Sequence, residues 1–168
     1  MISKWLTKIA VAGLLVGALT APAVQASNGD GSDSGWLEGV RDATARFHST
    51  VQANNANYVP VLSCFDLPGV GGMGQHLIDT SRLNGSIDQN RPQALVYEVD
   101  PTGLNLVAVE WIIPWQFWVP STPPELQGHK FTSVTSLHLW ALHAWIWKPN
   151  PLGTFANYNP SVPLCPGH

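Results

Sequence analysis

The run QALVYEVDPTGLNLVAVEWII, residues 93–113, constrains the chain more than any other feature. Two Val-rich segments alternate in polarity, and the Pro- and Gly-bearing DPTG between them is a turn, so 93–113 reads as an antiparallel hairpin. A lone hairpin is marginal in water and needs further strands or a helix against its apolar face. The flanking sequence supplies both. YVPVLSCF reads as a short strand. SLHLWALHAWIWK becomes aromatic and β-branched toward its end and stops at KPNPLG, which predicts a strand over about 137–148. Between them, IPWQFWVPSTPPELQG is broken by prolines and is predicted to be a long loop. Upstream, Trp36, Val40, Ala43, Phe47, Val51 and Tyr58 recur at helical intervals, with Ser34 as a candidate cap and the Asn-rich QANNANY fraying the end. The expected class is α+β: an N-terminal amphipathic helix packed on an antiparallel, curved β-sheet or partial barrel.

The ends of the chain set its compartment. Lys4 and Lys8 precede the apolar stretch IAVAGLLVGALTAPAV, and VQA closes on small residues, the pattern of a signal peptide cut after Ala26. Its apolar part falls short of the ~20 residues a bilayer span requires. Residues 27–35 are Gly, Ser, Asp and Asn and are expected to be a disordered lead-in, leaving 36–168 as a single domain. Without the leader, six basic and eleven acidic side chains remain, a formal charge of −5. That balance excludes nucleic acid as a partner, since polyanion binding needs a basic face, and no second hydrophobic run predicts membrane insertion. The chain has two cysteines, Cys64 and Cys165. In an oxidising compartment such a pair is expected to form a disulfide, closing a loop worth roughly 4–5 kcal/mol in the chain-entropy account.

Chemistry-bearing motifs are sparse. GVGGMG, residues 69–74, matches G-x-G-x-x-G formally, but it follows Leu-Pro and precedes a hairpin instead of opening a helix. It reads as a tight positive-φ loop that delivers His76. No nucleophile elbow and no H-E-x-x-H occur. Four residues stand out instead: His76; Glu98 and Glu110, carboxylates inside apolar strands where they are costly unless partnered; and His143, on the strand face of Trp145 and Trp147 and opposite that of His138. Imidazole and carboxylate together suit a divalent metal such as zinc. If hairpin partners sum to 204, Glu110 faces Ala94 and Glu98 faces Leu106, about 13 Å from Glu110 along the strand. One ion then takes one glutamate, with His76 and His143. The alternative is structural: the four bond to backbone or to Arg82 and Arg91. Trp115, Phe117 and Trp118, bracketed by prolines, are candidate ligand-binding rings if exposed and a cap on the core if folded back.

In RDATARFH, GGMGQH, RPQALVYEVD, GLNLVAVEW, PPEL and LHAWIWKPNPLGTFANYNP, followed by Cys165, the chain resembles a family of uncharacterised secreted bacterial proteins. The resemblance covers most of residues 36–165 and implies a small exported domain with this order of motifs; it carries no catalytic residue across. The functional expectation is a secreted, non-catalytic protein that binds a small molecule or metal ion. The alternatives are a metal-dependent, hydrolase-like enzyme with a glutamate as base, and an extracellular interaction module built on the aromatic loop.

Overall fold

Alternating side chains give each strand two faces, and here both faces are buried for different purposes. The computed structural model describes residues 31–119 and 121–167; the expected leader, 1–26, and the start of the lead-in lie outside the described residues. The strands are β1 (Val59–Pro60), β2 (Phe65–Leu67), β3 (Gly71–Ile78), β4 (Ala94–Asp100), β5 (Gly103–Pro114), β6 (Glu125–Leu126), β7 (His129–Lys130), β8 (Thr132–Val134) and β9 (Leu139–Ala144). β6 and β7 pair with each other; the other seven form one open antiparallel sheet of order β1-β3-β4-β5-β9-β8, with β2 also paired to β3. The α+β class is therefore as expected, with the sheet unclosed.

The hairpin is β4–β5, turning at Pro101–Thr102, where Asp100 accepts hydrogen bonds from the backbone N–H of Thr102 and Gly103. Ala94 faces Glu110 as predicted, but beyond Val96 the register changes: Tyr97 faces Leu106 and Glu98 faces Asn105. Val107 is the extra residue of a β-bulge, and both it and Ala108 pack on the same side of the sheet. The other side carries Leu77, Leu95, Tyr97, Val109, Trp111, Ile113, Leu142 and Ala144, which form the main core with Leu37, Val40 and Phe47.

Those last three come from the N-terminal segment. α1 (Gly31–Thr44) begins inside the expected lead-in, so Ser34 lies within the helix and does not cap it. A 3-10 turn over Ala45–His48 follows, and Ser49, in extended conformation, breaks the chain before α2 (Thr50–Asn55). The Ser49 side chain caps that second helix by accepting from the Gln52 N–H. The break rotates the apolar stripe, which is why Val51 is 65 % exposed while Ala53 and Tyr58 are buried.

The glycine run is strand where a loop was predicted. Only Gly69 sits in the turn; Gly71, Gly72 and Gly74 belong to β3. Their lack of a side chain admits other backbone. A Cβ on Gly72 would lie 2.3 Å from the Pro163 carbonyl oxygen, and one on Gly74, at φ +99°, would lie 2.5 Å from that of Tyr97. The C-terminal tail uses the first opening: Asn159 bridges to Gly72, its N–H donating to the Gly72 carbonyl, and the Gly72 N–H donates to Val162. The Cys64–Cys165 disulfide then ties the tail to the segment ahead of β2, and Cys165 N–H donates to the Asp66 carboxylate. No helix among the described residues is long and apolar enough to cross a membrane.

Candidate metal centre

The side of the sheet away from α1 carries His76 and Ile78 from β3, Ala94 and Val96 from β4, Glu110 and Ile112 from β5, and Ala141 and His143 from β9. Glu110 and His143 are direct cross-strand partners. His76 stands two strands from Glu110, a backbone gap of about 10 Å at the usual strand spacing. Its ring closes that gap by crossing β4 diagonally, and the residue of β4 facing Glu110 is Ala94, whose single methyl leaves room.

The three functional groups meet. His76 Nε2 and His143 Nε2 are 3.4 Å apart; Glu110 Oε2 lies 3.4 Å from the first and Oε1 lies 3.2 Å from the second. All three side chains are at least nine-tenths buried, and their ligand atoms lie within 4.8 Å of one another. Packing fixes the rings: His143 stacks on Trp145 at 6.2 Å, and Phe65 meets His76 edge-on at 5.7 Å. The contacts are longer than well-formed N–H···O bonds, which centre near ~2.9 Å. They match a different geometry. A tetrahedron with metal–ligand bonds of about 2.0–2.1 Å has edges of roughly 3.3–3.4 Å. The imidazole pair has that spacing, and each ring nitrogen has one carboxylate oxygen at or near it.

Burial also sets the charge state. It pushes Glu110 up to about 8 and His76 down to about 4, the nearby Gly74 backbone partly offsetting the latter. His143 falls to about 3, again through burial and secondarily through His76. At neutral pH all three are then mainly uncharged, so the short His–Glu separations are not ion pairs. Both Nδ1 atoms are buried without a hydrogen bond of normal geometry. The Nε2 and carboxylate contacts are long for hydrogen bonds, and a dication would take a lone pair from each of the three groups at once, without supplying a partner to Nδ1.

The centre lies at the base of a cavity of about 620 Å³. Leu62, Phe65, Met73, Ile78, Ile112 and Ala141 form apolar walls, and exposed Thr132, Ser133, Thr135 and Ser136 stand at its mouth. Asn157 and Tyr158 of the disulfide-tethered tail complete the lining. Nothing local in the sequence marks these tail residues; the available signal was the pair of cysteines, which bound the tail back to the start of the sheet.

Other expected site residues lie elsewhere. Glu98 remains on the same side of β4 but pairs with Lys148, beyond reach of the cluster. Arg82 binds the Tyr58 hydroxyl and the carbonyls of Pro92 and Arg91. His138 precedes β9 in left-handed conformation, edge-on to Trp115 at 5.2 Å. Because β9 ends at Ala144, Trp147 no longer shares the face of His143; it packs on the main core, against His48. Of the aromatic loop, Trp115 and Trp118 are half-buried. Trp118 packs on the core and donates Nε1–H to Thr122, leaving Phe117, 45 % exposed, as the outward ring. None of the three lines the cavity. No protein-family model, no curated protein and no solved structure matches this chain.

Proposed function

We propose that this is an exported binding protein that takes a divalent cation such as Zn²⁺ on His76, Glu110 and His143 and offers it to a small ligand in the cavity above. The observation that carries the reading is the spacing: two buried imidazole nitrogens 3.4 Å apart, the edge length of a zinc tetrahedron, each with a different oxygen of the Glu110 carboxylate 3.2–3.4 Å away. Export is supported by the Lys-led apolar leader and by a disulfide, which persists in oxidising compartments.

Binding is favoured over hydrolysis by what surrounds the centre. The hydrolase expected from the sequence uses a glutamate as base, free of the metal. Apart from the three ligands, Tyr158 is the one ionisable side chain among the described lining residues, and Glu110 is held between both imidazoles. An interaction module built on the aromatic loop is disfavoured because Trp118 is committed to the core.

Calorimetric titration of EDTA-treated, dialysed protein with Zn²⁺ tests the proposal. Wild type should bind close to one equivalent, and 100-fold excess over Kd should add about 2.7 kcal/mol of stability. His76→Ala and His143→Ala should each lose the site, whereas Glu98→Ala should keep it. Absence of stoichiometric binding to folded wild type, with Cu²⁺ and Mn²⁺ equally inert, refutes it.

A further inference from the structure

Three protein ligands leave a tetrahedral ion one open position, and the cavity dictates what can fill it. Leu62, Phe65, Met73, Ile78, Ile112 and Ala141 give it largely apolar walls, Asn157 and Tyr158 add polar groups on the side of the tail, and the Ser and Thr hydroxyls stand at the mouth. No Lys or Arg is among the described lining residues, so an anionic group there meets no counter-charge from them. A dication bound by two neutral imidazoles and one carboxylate keeps a formal charge of +1, in surroundings where an uncompensated charge is costly. One monoanionic oxygen ligand cancels it. The volume, about 620 Å³, falls inside the range of sites that enclose small organic molecules and far exceeds the needs of a water or an inorganic anion alone.

Building on the metal reading, we infer that the cavity binds an aliphatic monocarboxylate, with the carboxylate on the ion held by His76, Glu110 and His143 and the chain along Leu62, Phe65 and Ile112. The two halves of the ligand are recognised by different physics. The head needs the metal, and the tail needs the walls. Each methylene buried there contributes about a fourfold gain in affinity, the equivalent of ~0.8 kcal/mol, until the chain reaches the mouth at Thr132–Ser136, where the gain stops.

The test uses the full mature chain in two forms, zinc-loaded and EDTA-treated, with zinc stoichiometry measured first. Butanoate, hexanoate, octanoate and decanoate, all below their micellar concentrations, are titrated into each form by calorimetry, with octan-1-ol as the ligand lacking a carboxylate. The expected result is affinity rising roughly tenfold or more per two carbons in the zinc form, at least tenfold weaker binding of octanoate to the EDTA-treated form, and weak binding of the alcohol to both. Equal affinity of octanoate in the two forms overturns the inference, as does a flat chain-length series in the zinc form. Failure of zinc itself to bind, seen in the first step, refutes the metal reading and this inference with it; zinc binding followed by a flat series refutes the inference alone.

Discussion

Replacing Glu110 with glutamine isolates the most consequential side chain of the cluster, because it preserves shape and removes only the ability to ionise. In the metal-free protein burial raises the Glu110 carboxyl from its ordinary 4.5 to about 8. A carboxyl with a raised folded-state value holds its proton in the native protein after the unfolded chain has lost it. Its contribution to stability is therefore complete below pH 4.5 and declines as pH rises through the window up to about 8. The decline is about 1.4 kcal/mol per pH unit for one proton. Glu110→Gln has no such proton, while the histidines, which titrate in the opposite sense, are common to both proteins and cancel in the difference. The stability of the variant minus that of wild type should thus climb by about 1.4 kcal/mol per unit between pH 5 and 7.5, a few kcal/mol in all. Urea denaturation in EDTA at half-unit intervals measures it. Saturating zinc should reverse the ranking, since the metal binds the ionised carboxylate and stabilises wild type alone. A pH-independent difference in EDTA would show that Glu110 titrates as an ordinary exposed acid, and the account of the buried cluster would fall.

Ala94→Leu should put a branched side chain on β4 opposite Glu110, costing about 1–3 kcal/mol by overpacking and weakening zinc binding, as calorimetry would show; unchanged affinity would mean that His76 does not reach Glu110 across that methyl. Cys64→Ser/Cys165→Ser should lose at most about 4–5 kcal/mol in thermal or urea unfolding, and should render the tail after Pro149 sensitive to protease before the sheet unfolds. Trp118→Ala should cost roughly 2–3 kcal/mol as a half-buried core ring, whereas Phe117→Ala should stay within about 1 kcal/mol; the opposite ranking would relocate the loop.

The parts of this structure legible in the sequence are those written at short range. Alternation over 93–113 and a Pro-Gly turn dictate the hairpin, and the pairing of Ala94 with Glu110 followed from turn position alone. Because period-2 alternation also assigns faces, Glu110 and His143 could be nominated before their pairing was visible. What was illegible arises at longer range. Val107 looks like any strand valine, so the bulge that shifts Glu98 against Asn105 leaves no mark in the pattern. Gly71 and Gly72 of β3 are dictated by a tail about ninety residues away. Phase errors account for the rest: the break at Ser49 turned Val51 outward, and the end of β9 at Ala144 released Trp147 to the opposite side.

The tethered tail makes one wall of the cavity depend in part on thiol chemistry. Asn157 and Tyr158 follow the last sheet strand, which ends at Ala144, and their segment is held both by backbone hydrogen bonds to Gly72 and by a bridge to Cys64 that needs an oxidant to form. Without the disulfide that wall keeps its backbone hydrogen bonds to Gly72 but loses its covalent tie. The floor needs no oxidant, whereas the covalent anchoring of that wall does.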